Sequence, residues 1–252
     1  MQVADPAGSY AIVPAMQSGV RPLDGRARWA VIALAAVIVS DVVGIVSDWL
    51  ELDLMNRLLD GENVPQSELE SNDDRQAAVG ILVFAVFVAS VVFFIRWFHA
   101  AYSNLLALGQ TDLRFKLGWA IGAWFVPFLN LWRPKQIADD IWRGSDPDAP
   151  LLHEAGWKSA PVPGLLGFWW GAWILSVFVG NFATRAWFDT DTAEEIRRAD
   201  IVDIVGLTLD LAAAILAIVV IRRLTARQAE RAQRLELAGT GPAPRLATMS
   251  EA

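Results

Sequence analysis

The chain has 252 residues, of which 54% are hydrophobic, and it contains no cysteine; disulfides, thiolate metal sites and cysteine catalysis are excluded. Its net charge of −7 and its 19% of charged residues are not spread evenly. Acids and bases fall in separate blocks between long apolar runs, which is the pattern of a membrane protein and excludes an ordinary soluble domain.

Residues 1–25 mix Gly, Pro, Ser and Asp without periodicity and are expected to form a disordered cytoplasmic tail. An integral membrane domain is expected over 26–232, and a flexible cytoplasmic tail over 233–252. Residues 29–50 form the first predicted span. It is too long for the apolar core of a signal peptide, and Asp48-Trp49-Leu50-Glu51 is no small-residue cleavage site, so it is expected to be retained. Residues 51–75 are polar and acidic, with Leu52, Met55, Leu58 and Leu59 extending the helix along the surface. Residues 76–98 form the second span. The next apolar stretch, 118–132, reads GWAIGAWFVPFLNLW. Its length gives about 22 Å of helix at 1.5 Å per residue, against a hydrocarbon core of roughly 30 Å. Pro127 also removes a backbone donor. This stretch is predicted to be re-entrant or interfacial. A short amphipathic helix follows over 134–145, with Ile137, Ala138, Ile141 and Trp142 on one face and Asp139, Asp140 and Arg143 elsewhere. The last spans are 165–188 and 201–221, and Arg222–Leu237 continues as a basic helix.

Charge sets the expected orientation. With 118–132 returning to its own side, sixteen of the 21 Lys and Arg residues fall together with both chain ends, whereas five full crossings reverse the bias. Basic residues favour the cytoplasmic side. The prediction is therefore an all-α membrane protein: a bundle of four transmembrane helices plus one re-entrant or interfacial segment and a short amphipathic helix, in the bacterial cell membrane with both termini cytoplasmic.

One block is distinctive. Arg96-Trp97-Phe98-His99-Ala100-Ala101-Tyr102-Ser103-Asn104-Leu105 precedes Leu113-Arg114-Phe115. Then come Gly118-Trp119-Ala120-Ile121-Gly122, Trp124-Phe125-Val126-Pro127-Phe128 and Asn130-Leu131-Trp132-Arg133-Pro134. Ile141-Trp142-Arg143 and Ser145-Asp146-Pro147 close the block, with Trp169-Trp170 and Leu224-Thr225-Ala226-Arg227-Gln228 further on. Over roughly residues 29–232 the chain resembles the bacterial, largely actinobacterial, membrane family known as domain of unknown function 4328. The resemblance implies a fold and a membrane location but no activity, cofactor or catalytic residue. The acidity of residues 51–74 departs from it.

Four acids lie within predicted spans, where charge is costly and usually faces the protein interior. Asp41 and Asp48 are seven residues apart, as are Asp203 and Asp210, so each pair occupies one helix face. Counted from the outer span ends, Asp41 and Asp210 share one depth and Asp48 and Asp203 another. They are a candidate intramembrane carboxylate pair and a candidate outer pair. The competing reading is packing: Gly44, Gly206, Ala213, Ala214 and Ala217 on the same faces permit close helix contact. At the inner interface, Arg96, Trp97, His99, Tyr102, Asn104, Asn130, Trp132, Arg133 and Lys135 are a candidate site for an anionic lipid headgroup or other ligand; interface anchoring is the alternative. The basic tail 222–234 is expected to lie on anionic lipid rather than on nucleic acid. His99 and His153 have no partner spacing for haem or metal, and the hydrolase, Walker and zinc-protease motifs are missing. No metal, cofactor or catalytic residue is expected. The leading expectation is a non-enzymatic envelope scaffold with protein partners or self-association. An ion- or proton-coupled transporter using Asp41 and Asp210 and an inner-leaflet lipid-binding protein or lipid enzyme are the alternatives.

Overall fold

The computed structural model describes residues 19–110, 112–149, 157–187 and 192–240. The expected tails at 1–18 and 241–252, and His153, lie outside the described residues. The described elements are all helical: α1 (Asp24–Leu59), α2 (Gln66–Ala107), α3 (Trp119–Gly122), a 3-10 turn (Leu129–Leu131), α4 (Arg133–Gly144), a second 3-10 turn (Trp157–Ser159), α5 (Gly164–Trp187) and α6 (Ala193–Thr240). Four of them, α1, α2, α5 and α6, are long and apolar enough to cross a membrane.

Three of these helices, α1, α2 and α6, run beyond the predicted spans, while α5 agrees with its own within a residue at each end. The 36 residues of α1 measure about 54 Å at 1.5 Å per residue, well over the roughly 30 Å of a hydrocarbon core. The excess lies at the end where α1 meets α2, termed here the acidic end. The expected loop 51–75 is reduced to a tight connection, because Leu52, Leu54 and Met55 are buried and Arg57 binds Glu62 (3.0 Å) and Glu68 (2.5 Å) across the turn. At the opposite, basic end, α6 extends to Thr240, past the residue 233 at which a flexible tail is expected. Residues 19–25 are likewise not a free tail. Leu23 is buried, and the Arg21 backbone exchanges hydrogen bonds with the Asn104 amide (3.0 and 2.9 Å).

The packing order is α2–α1–α6–α5. Helix α6 packs most extensively on α1 and then α5, and α1 also covers α2, while α2 and α6 barely touch. This open arc leaves a gap between α2 and α5, which the broken segment 118–132 fills at the basic end. Trp124 is the wedge. Its ring meets Phe94 and Phe98 of α2 edge-on (5.4 and 5.6 Å) and Trp170 and Trp173 of α5 (6.0 and 5.5 Å). Trp170 Nε1 donates to Leu131 O (3.0 Å). The segment does not cross. After α3 the chain turns through Pro127 and Phe128, and Phe128 has φ 64° with Leu129 N bonded to Pro127 O (2.8 Å). That is a γ-turn of the strained, positive-φ kind, and it reverses the chain within the bundle. Arg133 then stacks on Phe115 and Trp119, 4.6 Å from each ring.

Helix α4 buries Ile137, Ala138 and Ile141 inside the protein. Asp140, expected on the polar face, is fully buried with them. The reason lies in the preceding linker: Arg114 Nη2 comes within 3.2 Å of Asp140 Oδ1. Burial pushes this carboxyl up to about 6, against the opposing pull of Arg114 and Arg143; Asp139 adds to the rise and Lys158 opposes it. A raised native value means that the folded protein holds this proton more tightly than the unfolded chain. The associated stability is present below about pH 4 and is lost as pH rises through about 6. Asp140→Asn removes that dependence. Thermal melts at pH 4.5 and 7.5 should show the variant gaining on the parent by roughly 2 kcal/mol at the higher pH. A gap between variant and parent that does not change with pH would contradict this.

Candidate functional site

On α1, Ser40, Asp41, Gly44, Ser47, Asp48 and Glu51 are all buried. Their spacings of three and four residues place them on one face. The facing stripe of α6 carries Asp200, Asp203, Gly206 and Asp210, followed by Ala213, Ala214 and Ala217. Small residues let the helices approach: a Cβ at Gly44 would lie 2.8 Å from Leu207 Cδ1, and one at Gly206 would lie 3.9 Å from Gly180 Cα of α5.

Between α1, α2 and α6 this stripe opens into a cleft of about 760 Å³, whose polar lining includes Asp41, Asp48, Glu51, Gln76, Asp203 and Asp210. The structure thus brings both predicted pairs into one space, and Asp41 lies within electrostatic reach of Asp210. Asp210 accepts a hydrogen bond from Ser176 of α5 (3.3 Å), whereas Asp41 Oδ2 is buried without a hydrogen-bond partner. At Asp210 the cleft meets a second, almost wholly apolar cavity of about 260 Å³, lined by residues that include Val37, Phe87, Phe94, Trp124, Trp169 and Trp173. Below it the fully buried Trp97, Tyr102 and Ile221 pack the basic end.

The acidic end is richer than the predicted Asp48–Asp203 pair. In the sequence Glu51 stands at the edge of a polar loop and Asp200 just outside a span, yet both are buried here. The signal was available: Glu51 is three residues beyond Asp48, and Asp200 three before Asp203, so each continues its stripe by one turn. Carboxylate oxygens of Asp48, Glu51 and Asp200 lie within 4.8 Å of one another. The first turns of α2 orient the group. Asn72 Nδ2 donates to Glu51 Oε1 (2.7 Å), and Gln76 Nε2 donates to Glu51 Oε2 and to Asp48 Oδ1 (3.4 Å). Ser47 Oγ donates to Gln76 Oε1 (2.7 Å), and Arg75 donates to Ser47 Oγ (3.1 Å), Ser47 O (3.2 Å) and Asn72 Oδ1 (2.5 Å).

The inner-interface residues are placed differently. Trp97 Nε1 donates to Thr225 Oγ1 (3.1 Å). Tyr102 is buried, its hydroxyl donating to Phe115 O and accepting from Phe115 N (3.1 Å each). Asn104 Nδ2 donates to Gln228 Oε1 as well as to Arg21 O. Lys135 pairs with Asp139 (2.6 Å), and Arg133 is held between two rings. Trp97 and Asn104 join α2 to α6, Tyr102 and Arg133 hold the linker before α3, and Lys135 pairs within α4, so these five side chains do not converge on a common space. Arg96 and Trp132 are exposed, and His99 and Asn130 half-buried, at the same end. Much of the basic tail is likewise engaged with protein. Arg227 stacks on Trp142 (4.4 Å) and pairs with Asp146 (2.8 Å), Arg231 is buried, and Arg234 binds Asp148 and Glu230. Arg222 and Arg223 remain exposed.

Fold and cleft together define an all-α, multi-pass membrane protein with an acid-lined space between its helices. The family described as Domain of unknown function (DUF4328) matches residues 60–226, about two thirds of the chain, and the chain belongs to that family. The match includes Asp200, Asp203 and Asp210, while Asp41, Asp48 and Glu51 precede it. No curated protein and no solved structure matches the chain.

Proposed function

We propose that this protein is a small ion-coupled carrier of the bacterial cell membrane, with Asp41 and Asp210 as the proton-binding pair. The observation that carries the reading is the cleft that leads from the acidic end to these two residues at mid-span. Two neighbouring carboxylates in a low-dielectric setting need a positive charge between them, and a proton arriving along a polar cleft supplies it. Below Asp210 the space continues as an apolar, aromatic-lined cavity, which offers a proton no polar path toward the basic end. Intramembrane acids of this kind are characteristic of proton relays.

The excess of Lys and Arg puts the basic end and both termini in the cytoplasm, so the cleft opens outward. Exposed Arg28, Arg96, Arg222 and Arg223 then face the inner leaflet, where anionic lipids are the partners. The apolar face of α4, which a scaffold could offer to a partner, is buried within the chain.

The test is proton flux into liposomes containing the full chain, followed with an entrapped pH dye under an imposed gradient. Asp41→Asn and Asp210→Asn should each slow the flux more than tenfold, while Asp112→Asn, at an exposed linker carboxylate, should match the parent. Parent liposomes no faster than protein-free ones, or variants as fast as the parent, would reject the reading.

A further inference from the structure

Asp48, Glu51 and Asp200 differ from Asp41 and Asp210 in having three carboxylates rather than two and in being braced by amides. Two features stand apart from the acidity itself. Asp200 is completely buried, and neither of its carboxylate oxygens receives an N–H or hydroxyl donor; the polar group that meets it is the Glu51 carboxyl. It points at Asp48 and Glu51, whose nearest oxygens are within 4.8 Å, and Asp48 Oδ2 also lacks a donor. The positive charge in the neighbourhood, Arg75, donates to Ser47 and Asn72 and not to an acid. The further charged group on the facing helix is Asp203, which adds to the negative charge.

We propose that these three carboxylates form a binding site for a hard divalent cation, with Ca²⁺ the best match. All donors are oxygen, and no thiol or imidazole competes, which selects Ca²⁺, Mg²⁺ or Mn²⁺ over softer metals. A spacing of up to 4.8 Å is the width of a coordination shell with bonds of about 2.3–2.6 Å, as Ca²⁺ makes; Mg²⁺, at about 2.0–2.1 Å, draws its donors closer. The amides of Asn72 and Gln76 fix Glu51 so that each of its oxygens keeps a lone pair for the metal. A bound ion would fasten α1 to α6 beside the α2 residues that orient Glu51. The cleft, which Asp48 and Glu51 line, supplies the route in. This proposal is independent of proton carriage.

Calorimetric titration of the full chain in detergent, after EDTA treatment and in roughly 0.15 M KCl to screen surface attraction, tests it. The expected result is one Ca²⁺ per chain with a Kd of about 10⁻⁵–10⁻³ M, accompanied by a rise in apparent Tm. Asp200→Asn should weaken binding at least tenfold, and Glu51→Gln provides the same test should the first variant fold poorly. Asp112→Asn should bind as the parent does. No heat and no Tm shift at saturating Ca²⁺, Mg²⁺ and Mn²⁺, or unchanged affinity in both site variants, overturns the site. A more stable Asp200→Asn protein without cation binding would instead assign the cluster to a shared proton. Since binding is read without flux, a chain that takes up Ca²⁺ but carries no protons rejects the carrier and leaves this site standing.

Discussion

Trp97→Ala should lower stability by about 3–5 kcal/mol, the usual cost of emptying a buried tryptophan site. For a chain of this size that corresponds to a fall in apparent Tm of roughly 6–20 °C. Trp97 is fully buried, with the rings of Phe94 and Phe98 tilted against it at 5.6 and 6.2 Å. Its position matters because α2 and α6 have little other contact. The link is a short polar seam: Trp97 Nε1 to Thr225 (3.1 Å), then Gln228 Nε2 to Ala101 O (2.8 Å), then Asn104 Nδ2 to Gln228 (3.1 Å). Residues 97, 101 and 104 follow the helical repeat, as do 225 and 228, so truncation at 97 removes the first tooth of the seam and leaves Thr225 facing a void. Trp97→Phe keeps a six-membered ring in the site but loses the pyrrole half of the indole with its N–H, and should cost less than the alanine variant, about 1–3 kcal/mol. The check is thermal unfolding of both variants in detergent. An alanine variant melting with the parent would show that the seam does not hold α2 to the bundle.

What the sequence makes legible follows from physical range. The spans are local properties of composition, and hydropathy finds all four. The demotion of 118–132 is also local, since fifteen apolar residues with a central proline cannot reach across a bilayer, and the chain reverses at Phe128 beside that proline. The Asp41–Asp210 pairing is one step less local. It needs only helical periodicity and equal distances from the outer span ends, and the two residues do line one cleft. Glu51 and Asp200 fail that method because hydropathy marks them as ends of spans, while the helices continue past the apolar core and pack there. The aromatic and basic block at the basic end is opaque for a different reason. Arg, Trp and Tyr near an interface look alike whether they meet lipid, a ligand or another helix. Only the tertiary partners distinguish these cases, such as Thr225 for Trp97 and Phe115 for Tyr102, more than a hundred residues away in the first case.

Arg231→Ala is expected to be as damaging as the loss of Trp97, through unsatisfied backbone rather than lost volume. The guanidinium is buried and serves two segments from α6. Nε and Nη2 donate to Leu108 O at the end of α2 (3.4 and 3.3 Å), and Nη1 donates to Asp146 O and, at 3.4 Å, to Ala149 O after α4. Leu108 caps a helix, where carbonyls have no intrahelical partner. Removing the fork leaves Leu108 O and Ala149 O without a donor, while Asp146 O keeps the Ala149 N–H (3.3 Å). At about 1–3 kcal/mol each, the expected cost is roughly 2–5 kcal/mol. Arg231→Met, which retains the stem and its packing, should recover little, and Arg231→Lys, a point charge without the planar fork, only part. Hydrogen exchange can locate the damage: amides at 105–110 and 144–149 should exchange faster in the alanine variant, while those along the α1–α6 stripe at 41–48 stay protected. Full stability in the lysine variant would mean that charge alone, and not the geometry of the fork, ties α6 to the basic end.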